Sequence, residues 1–281
     1  MEFKAIIPIA GQATRLLPLS AAVPKALWPL ADSRGRVRCV LHRICAEAAA
    51  AGIRRVGLIV APDQREPLRR YFHAARAAGD DDLPERIEYI LQRWPRGFGD
   101  AVLRGAEFAG RDCPGFLLLL GDHVHAASPG AAPCARQVLS AYRRHGGVAM
   151  IGMQPIAGTE LSRVGVAGGD PIDDRVYRCR AFIEKPSAAL ARRRLVSPGL
   201  PAGRFLAHCG IYVFSRAIFD CLRRLRRRGA RAGGELQLAD AQAMLLAENP
   251  GQYHLCRIDG RSHDTGTPDA YAAAFAALQK A

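Results

Sequence analysis

The chain has 281 residues, 49% of them hydrophobic, and a formal net charge of +14. That length and apolar content allow one large α/β domain or two small ones, and no stretch approaches the ~20 consecutive apolar residues of a membrane-spanning helix. The eight cysteines never occur as Cys-x-x-Cys, which argues against zinc and a dense disulfide framework; with no export signal in view, a reducing cytoplasm is the expected home.

In chain order, the apolar run Ala5-Ile6-Ile7-Pro8-Ile9 reads as a short buried strand. It gives way to Ala10-Gly11-Gln12-Ala13, small residues that let backbone N–H groups approach a ligand, and then to Thr14-Arg15, Pro18 and Pro24-Lys25. A strand that opens into small residues and then presents Arg and Lys suits a polyphosphate, and fixed positive charges suit a reaction in which pyrophosphate leaves. A surface turn in an Arg-rich protein is the competing reading. Downstream the pattern alternates between strand and helix, as α/β folds do. Residues 40–47 lead into an Ala-rich helix stopped by Gly52, residues 56–60 form a strand, and residues 65–78 have helical spacing before a polar turn at 79–82. A strand at 87–91 and a helix at 99–109 precede residues 116–120, a continuous apolar strand of the sort buried in a parallel sheet. A helix at 137–145 and a strand at 149–153 follow. Residues 164–182 turn strand-like, with turns expected at Gly168-Gly169 and Asp173-Asp174, which predicts an antiparallel excursion. A strand at 209–214 and helices at 235–247 and 269–280 complete the pattern, with no repeat or long linker.

The charge has three readings: nucleic-acid binding, an anionic substrate, or a compositional bias toward Arg. The basic clusters Arg192-Arg193-Arg194 and CLRRLRRRGAR (221–231) contain no aromatic residue to stack on bases. The second reads as an amphipathic helix with its cations at the favourable C-terminal end, and then a Gly stop. Of 40 basic residues only four are lysines, and two of these, Lys25 and Lys185, fall in segments that already stand out. Two acidic positions stand out as well. Asp122 follows Leu120-Gly121 at the end of a buried strand, where open α/β sheets place their ligands, and Asp264 sits in a tight loop before the last helix. If a nucleoside triphosphate binds, Mg²⁺ would need one or two carboxylates, although each Asp alone could serve merely as a turn or cap residue. The two lie 142 residues apart, and the sequence does not show that they meet.

Together these segments resemble the nucleoside-diphosphate-sugar pyrophosphorylases, most closely the bacterial UTP–glucose-1-phosphate uridylyltransferases. The resemblance rests on six motifs in order: Gly11-Gln12-Ala13-Thr14-Arg15 with Pro18 and Pro24-Lys25; Gln92 with Gly97-Phe98-Gly99-Asp100-Ala101; Leu120-Gly121-Asp122; Glu184-Lys185-Pro186; Gly-Glu-Leu-Gln-Leu-Ala-Asp at 234–240; and Ser262-His263-Asp264-Thr265-Gly266. It implies an α/β chain with a Rossmann-like three-layer α/β/α nucleotidyltransferase fold, a mixed central sheet and a small antiparallel excursion. One domain is expected over 1–281, with a nucleotide-binding part at about 1–125, a sugar-phosphate part at about 126–268 and a C-terminal helix at 269–281. The implied reaction joins UTP and glucose 1-phosphate into UDP-glucose and pyrophosphate. The alternatives are a thymidylyltransferase, a uridylyltransferase for another sugar 1-phosphate, or a catalytically impaired regulatory paralogue.

The resemblance also assigns roles. Ala10, Gly11, Gln92 and Gly97 would bind the nucleotide, with Gln92 reading the pyrimidine edge. Arg15 would hold the leaving phosphates and Lys25 would neutralise charge at the α-phosphate. Gly165, Glu184 and Lys185 would take the sugar phosphate, and Asp122 and Asp264 would carry Mg²⁺. A sugar phosphate is already largely dianionic near neutral pH, so no general base and no catalytic histidine are expected. The expected partners are these small molecules, with no nucleic acid and no membrane, and the chain is expected to form a homo-oligomer. The sequence departs from the family pattern at Ala13, where a second Gly is usual, at Ser20, at Asp32-Ser33-Arg34-Gly35-Arg36, and at His208-Cys209-Gly210-Ile211 near the sugar pocket. If position 13 needs positive φ, the added methyl costs about 1–2 kcal/mol.

Overall fold

The apolar runs lie side by side in one large sheet. The computed structural model describes residues 2–229 and 234–280. Among these, the strands are β1 (Lys4–Pro8), β2 (Pro29–Ala31), β3 (Val37–Cys39), β4 (Arg55–Val60), β5 (Arg86–Leu91), β6 (Phe116–Leu119), β7 (His123–Ala127), β8 (Ala149–Ala157), β9 (Gly165–Pro171), β10 (Val176–Glu184), β11 (Arg204–Phe214), β12 (Tyr253–Arg257) and β13 (Gly260–Asp264). The main sheet has the order β5-β4-β1-β6-β11-β8-β12-β10-β9, and β11 also pairs with β9. Its first four strands are parallel; β11 is antiparallel to β6 and β8, and β9 to β10. The sheet is therefore mixed.

Alternation along the parallel strands builds a layer on each face. Ile7, Val60, Leu117 and Leu119 face one core, shared with Leu41 and Ile44 of the helix Val40–Ala50, Phe72 of Arg65–Ala77 and Val138 of Cys134–His145. Ile6, Ile59, Phe116 and Leu118 face the other, shared with Val102 of Phe98–Arg104, Phe219 of Ala217–Arg227 and Leu245 of Leu238–Glu248. A sheet buried on both faces needs apolar residues at every position, which is why 116–120 read as an uninterrupted run. The result is the three-layer α/β/α fold with an antiparallel β9–β10 excursion. No helix among the described residues is long and apolar enough to cross a membrane.

Several boundaries differ from the expectation, each for a packing reason. Gly168-Gly169 is not a turn but part of β9, paired to Ala181 and Cys179 across a bulge. A Cβ on Gly168 would lie 2.6 Å from the Leu195 backbone and one on Gly169 2.5 Å from the Arg178 carbonyl, so both glycines serve close approach. The turn falls at Asp173, whose Oδ1 accepts from the N–H groups of Arg175 and Val176 at 2.8 and 2.7 Å. The expected helix 99–109 splits at Gly105, where a Cβ would meet Ile6 Cδ1 at 2.5 Å. Residues 235–237 are not helical and Gln237 is extended, so the helix expected from 235 begins at Leu238. The strand expected at 209–214 extends back to Arg204, and the strand expected at 149–153 runs on to Ala157. The basic helix is Ala217–Arg227, pinned in part by Arg224 to Glu248; Ala230 and Arg231 of that reading lie outside the described residues. The last helix is Pro268–Leu278.

Candidate active site

The first strand ends against a loop whose backbone is held in an unusual shape. After Pro8, residues 9–13 lead to a short helical turn, Thr14–Leu16, and Ala13 before it has φ 49° and ψ 41°. This is the left-handed region, which a glycine adopts freely and an alanine adopts at a cost of about 1 kcal/mol. Cavities lie on either side of this loop. One, of about 300 Å³, is lined by Gly11, Arg15, Lys25, Gln64, Gly121, Asp122 and their neighbours. The other, of about 330 Å³, is lined by Ala10, Gly11, Gln92, Gly97 and Glu235 among others. Pro8, Gly11, Ala13, Thr14 and Phe98 border both, so the loop overhangs one continuous cleft at the carboxyl ends of the parallel strands.

Asp122 stands at the strand end beyond β6. Its Oδ2 takes a hydrogen bond from Lys25 Nζ at 2.9 Å and its Oδ1 one from His123 Nδ1 at 2.9 Å. Burial pushes the carboxyl upward, but His123 and the Lys25 ammonium outweigh it and hold the group well below the usual carboxylate range. Lys25 reaches it from the short turn Lys25–Leu27 that Pro24 introduces. Asp264, expected in a loop, is the last residue of β13. The antiparallel pairing of β13 with β7 places it opposite His123, so side-chain oxygens or nitrogens of Asp122, His123 and Asp264 lie within 4.8 Å of one another. Gly266 leaves room between the carboxylates: a Cβ there would be 2.9 Å from Asp264 Oδ1 and 3.3 Å from Asp122 Oδ2. Carboxylate oxygens facing a space that a side chain would fill fit a hard divalent cation such as Mg²⁺.

The residues expected to meet the base are also held in place. Gln92 is buried at the end of β5, and its Nε2 donates to Asp100 Oδ2 at 2.9 Å and to the Gly97 carbonyl at 3.2 Å. Gly97 has φ 96°, and a Cβ on it would lie 2.5 Å from the Leu236 carbonyl. Leu236 accepts from Gly99 N–H at 2.8 Å and donates to the Arg96 carbonyl at 2.9 Å. The 234–240 motif thus clamps the glycine loop that follows Gln92.

The residues expected to take the sugar phosphate form a second group. Gly165 and Glu184 are cross-strand partners on β9 and β10. The space where a Gly165 side chain would stand is occupied by Glu184, whose Oε1 is 2.8 Å from that position. Partial desolvation raises the Glu184 carboxyl above its ordinary range, against the pull of Lys185. Lys185 has φ 47° immediately before Pro186, where extended backbone is the rule, and such strain persists only where the surroundings enforce it. These three residues are not among those bordering the two cavities above, although Glu184 and Asp122 both act electrostatically on the buried Tyr212 between them. They connect to the cleft through β11, which pairs with β6 at Ile211–Leu119 and with β9 at Ala207–Val166.

Sequence reasoning gave no role to several residues the structure puts in the framework. Thr265 donates from both N–H and Oγ1 to the Asp122 carbonyl, at 2.8 and 3.0 Å. Gln64, for which the sequence carried no signal, donates to the Gly11 carbonyl at 3.4 Å and lines the cleft. His208 stacks on Phe182 at 4.6 Å, and burial lowers its pKa to about 4. Asp100 and Leu236 sit inside sequence motifs whose spacing alone shows no role for either side chain.

A fold of this kind has known counterparts. A structure of UDP-glucose pyrophosphorylase complexed with UDP-glucose superposes with a TM-score of 0.81 at 23% identity, covering 100% of this chain and 99% of that one. At that identity the likeness speaks for the fold. Among curated proteins, UTP–glucose-1-phosphate uridylyltransferase 2 of Staphylococcus saprophyticus is 31% identical over 281 residues, covering 94% of this chain and 87% of its own. UTP–glucose-1-phosphate uridylyltransferase YngB of Bacillus subtilis is 29% identical over 278 residues, covering 94% and 84%. The sequence profile of the nucleotidyl transferases matches residues 4–281, essentially the whole chain. With cleft, strand-end carboxylates and glycine loop all within that match, the chain belongs to the nucleotidyl transferase family and is a sugar-1-phosphate nucleotidyltransferase.

Proposed function

We propose that this enzyme joins UTP and glucose 1-phosphate to give UDP-glucose and pyrophosphate, and that residues 1–281 act as one domain. The observation that carries the reading is the Lys25–Asp122 pair at 2.9 Å, with Asp264 beside it, at the mouth of a cleft roofed by a small-residue loop. Asp122 and Asp264 would hold Mg²⁺, which when bound supplies charge neutralisation at the phosphates. The backbone of Ala10 and Gly11 would lie against the nucleotide, with Gln92 and Gly97 at the base. Arg15 lines the same cavity and would hold the departing β- and γ-phosphates. Lys25 would move from Asp122 to the α-phosphate as charge develops there. Glu184 would accept sugar hydroxyls, Gly165 would let the sugar approach the backbone, and Lys185 would grip the sugar phosphate. That phosphate oxygen then attacks the α-phosphorus in line, and pyrophosphate leaves on the opposite side. Catalysis on this reading is positioning and charge neutralisation, with no protein nucleophile.

Pyrophosphate release with UTP, dTTP, CTP and ATP, each paired with a panel of sugar 1-phosphates, tests the reading. UTP with glucose 1-phosphate should give the highest kcat/KM, and chelating divalent cations should abolish turnover until Mg²⁺ is restored. A preference for dTTP or another sugar would redirect the assignment. A purine preference, or activity undiminished by chelation, would contradict it.

A further inference from the structure

Gln92 is held so that one end of its carboxamide is fully committed. Both amide hydrogens are used, one on Asp100 Oδ2 at 2.9 Å and one on the Gly97 carbonyl at 3.2 Å. Carbonyls and ionised carboxylates accept and never donate, so turning the amide over would set its oxygen against both of them. Asp100 is itself fixed. It is 4% exposed, and its Oδ2 also takes a hydrogen bond from Arg104 Nε at 2.8 Å, one helical turn away. Arg104 in turn reaches the Leu91 carbonyl at 3.4 Å, next to Gln92. The Gln92 amide and the Arg104 guanidinium thus donate to the same Asp100 oxygen, Oδ2. Gly97 is locked by its left-handed backbone against Leu236. The Gln92 oxygen is left without a hydrogen-bond partner among the described residues, on a side chain that lines the base-side cavity.

We propose that Asp100, braced by Arg104, fixes the Gln92 carboxamide with its oxygen toward the cleft and thereby selects uracil or thymine against cytosine. This rests on the reading above in which Gln92 meets the base. Uracil and thymine carry a hydrogen on N3 and donate it to a fixed acceptor. Cytosine presents a bare N3 lone pair at the same place, so two acceptors would face each other in a desolvated site. A free carboxamide would turn over and accept cytosine; this one has no other stable orientation. Sites that reject a ligand by leaving buried polar groups unpaired reach discrimination of about 10⁴-fold, so a ratio of at least ~100 is expected here. Asp100 touches Gln92 and not the nucleotide, and is a positioning residue.

The test compares binding and kcat/KM for UTP, dTTP and CTP in the wild type, Asp100→Leu, Arg104→Met and Gln92→Leu, each checked by its melting transition. Leucine is close to aspartate in size and has no acceptor for the Gln92 amide, so Asp100→Leu should cut the UTP-to-CTP ratio at least ~10-fold through binding and KM, with kcat for UTP little changed. Arg104→Met should move the ratio the same way by a smaller factor, and becomes the deciding variant if Asp100→Leu does not fold. A wild-type ratio in folded Asp100→Leu, or in Arg104→Met where that variant decides, overturns the proposal. If the ratio collapses in Gln92→Leu yet holds in the other two, the lock is wrong and the base reading stands. If Gln92→Leu also keeps the wild-type ratio, the base reading itself fails.

Discussion

Replacing Gly121 by Ala would disturb the cleft without altering any charge in it. Gly121 lies directly before Asp122 and packs on the end of β1. A methyl there would stand 2.6 Å from the Pro8 carbonyl oxygen and would also press on Ile9 Cγ2. Ordinary contact begins at 3.4 Å, so the strand end and the loop must part by about 0.8 Å. The obstacle is backbone at the edge of a close-packed sheet, which does not yield as a flexible side chain would. Overpacking of this kind costs about 1–3 kcal/mol, and each kcal/mol lowers Tm by about 2–4 °C in a chain approaching this size. The same movement displaces Asp122 from Lys25 and from the loop. A misplacement near 1 Å costs about 100-fold in rate, so kcat/KM should fall ~30–100-fold. Gly11 is the internal control, because a Cβ there meets nothing within 4 Å. Gly11→Ala should keep its Tm and raise KM for the nucleotide, since its methyl would stand in the cleft. Thermal melts and initial rates on both variants give the answer. Wild-type Tm and kcat/KM in Gly121→Ala would show that close packing on β1 does not set the position of Asp122.

At Ala13 the left-handed backbone sets an order of stability. Ala13→Gly relieves the strain but adds unfolded-state entropy, for a net gain under about 1 kcal/mol, whereas β-branched Ala13→Val is worse than Ala; equal Tm for the two variants would contradict this. Lys25→Met should lower kcat by ~100-fold or more while nucleotide KM moves little, because the ammonium is expected to act where charge develops; a pure KM effect would assign Lys25 to ground-state binding. Burial lowers the pKa of both His125 and His208 to about 4 from an ordinary value of 6.5. The unfolded chain therefore binds protons that the folded one refuses, so stability is fully present above about pH 6.5 and is lost as pH falls toward 4. His208→Phe should flatten that acid slope, and a Tm–pH profile identical to wild type would show that His208 titrates normally.

The parts of the fold legible in the sequence were those whose physics is local. Residues 56–60 and 116–120 read as strands because both faces of the parallel sheet are buried, and Asp173 marked a turn by its capping oxygen. Gly168-Gly169 misled because glycine serves close approach as readily as turning, and only the opposing Arg178 and Leu195 backbones decide between them. The polar strands β7 and β13 had no apolar run to announce them, and the meeting of Asp122 with Asp264 depends wholly on their register. Ala13 was legible as a weak point from the motif, while its left-handed backbone emerged only with the loop. The link from Gln92 to Asp100 and Arg104 was hidden because it joins a strand end to a helix face across a bent glycine loop.

In the proposed mechanism the sugar phosphate itself attacks the nucleotide, and no residue of this chain is bonded to the nucleotide along the way. The stereochemistry at phosphorus distinguishes this route from a two-step transfer. UTP carrying a chiral α-thiophosphate would be turned over, and the configuration at phosphorus in the UDP-sugar product determined. A single in-line displacement predicts inversion. Retention would require two displacements and a nucleotidyl-enzyme, and would rule the direct attack out.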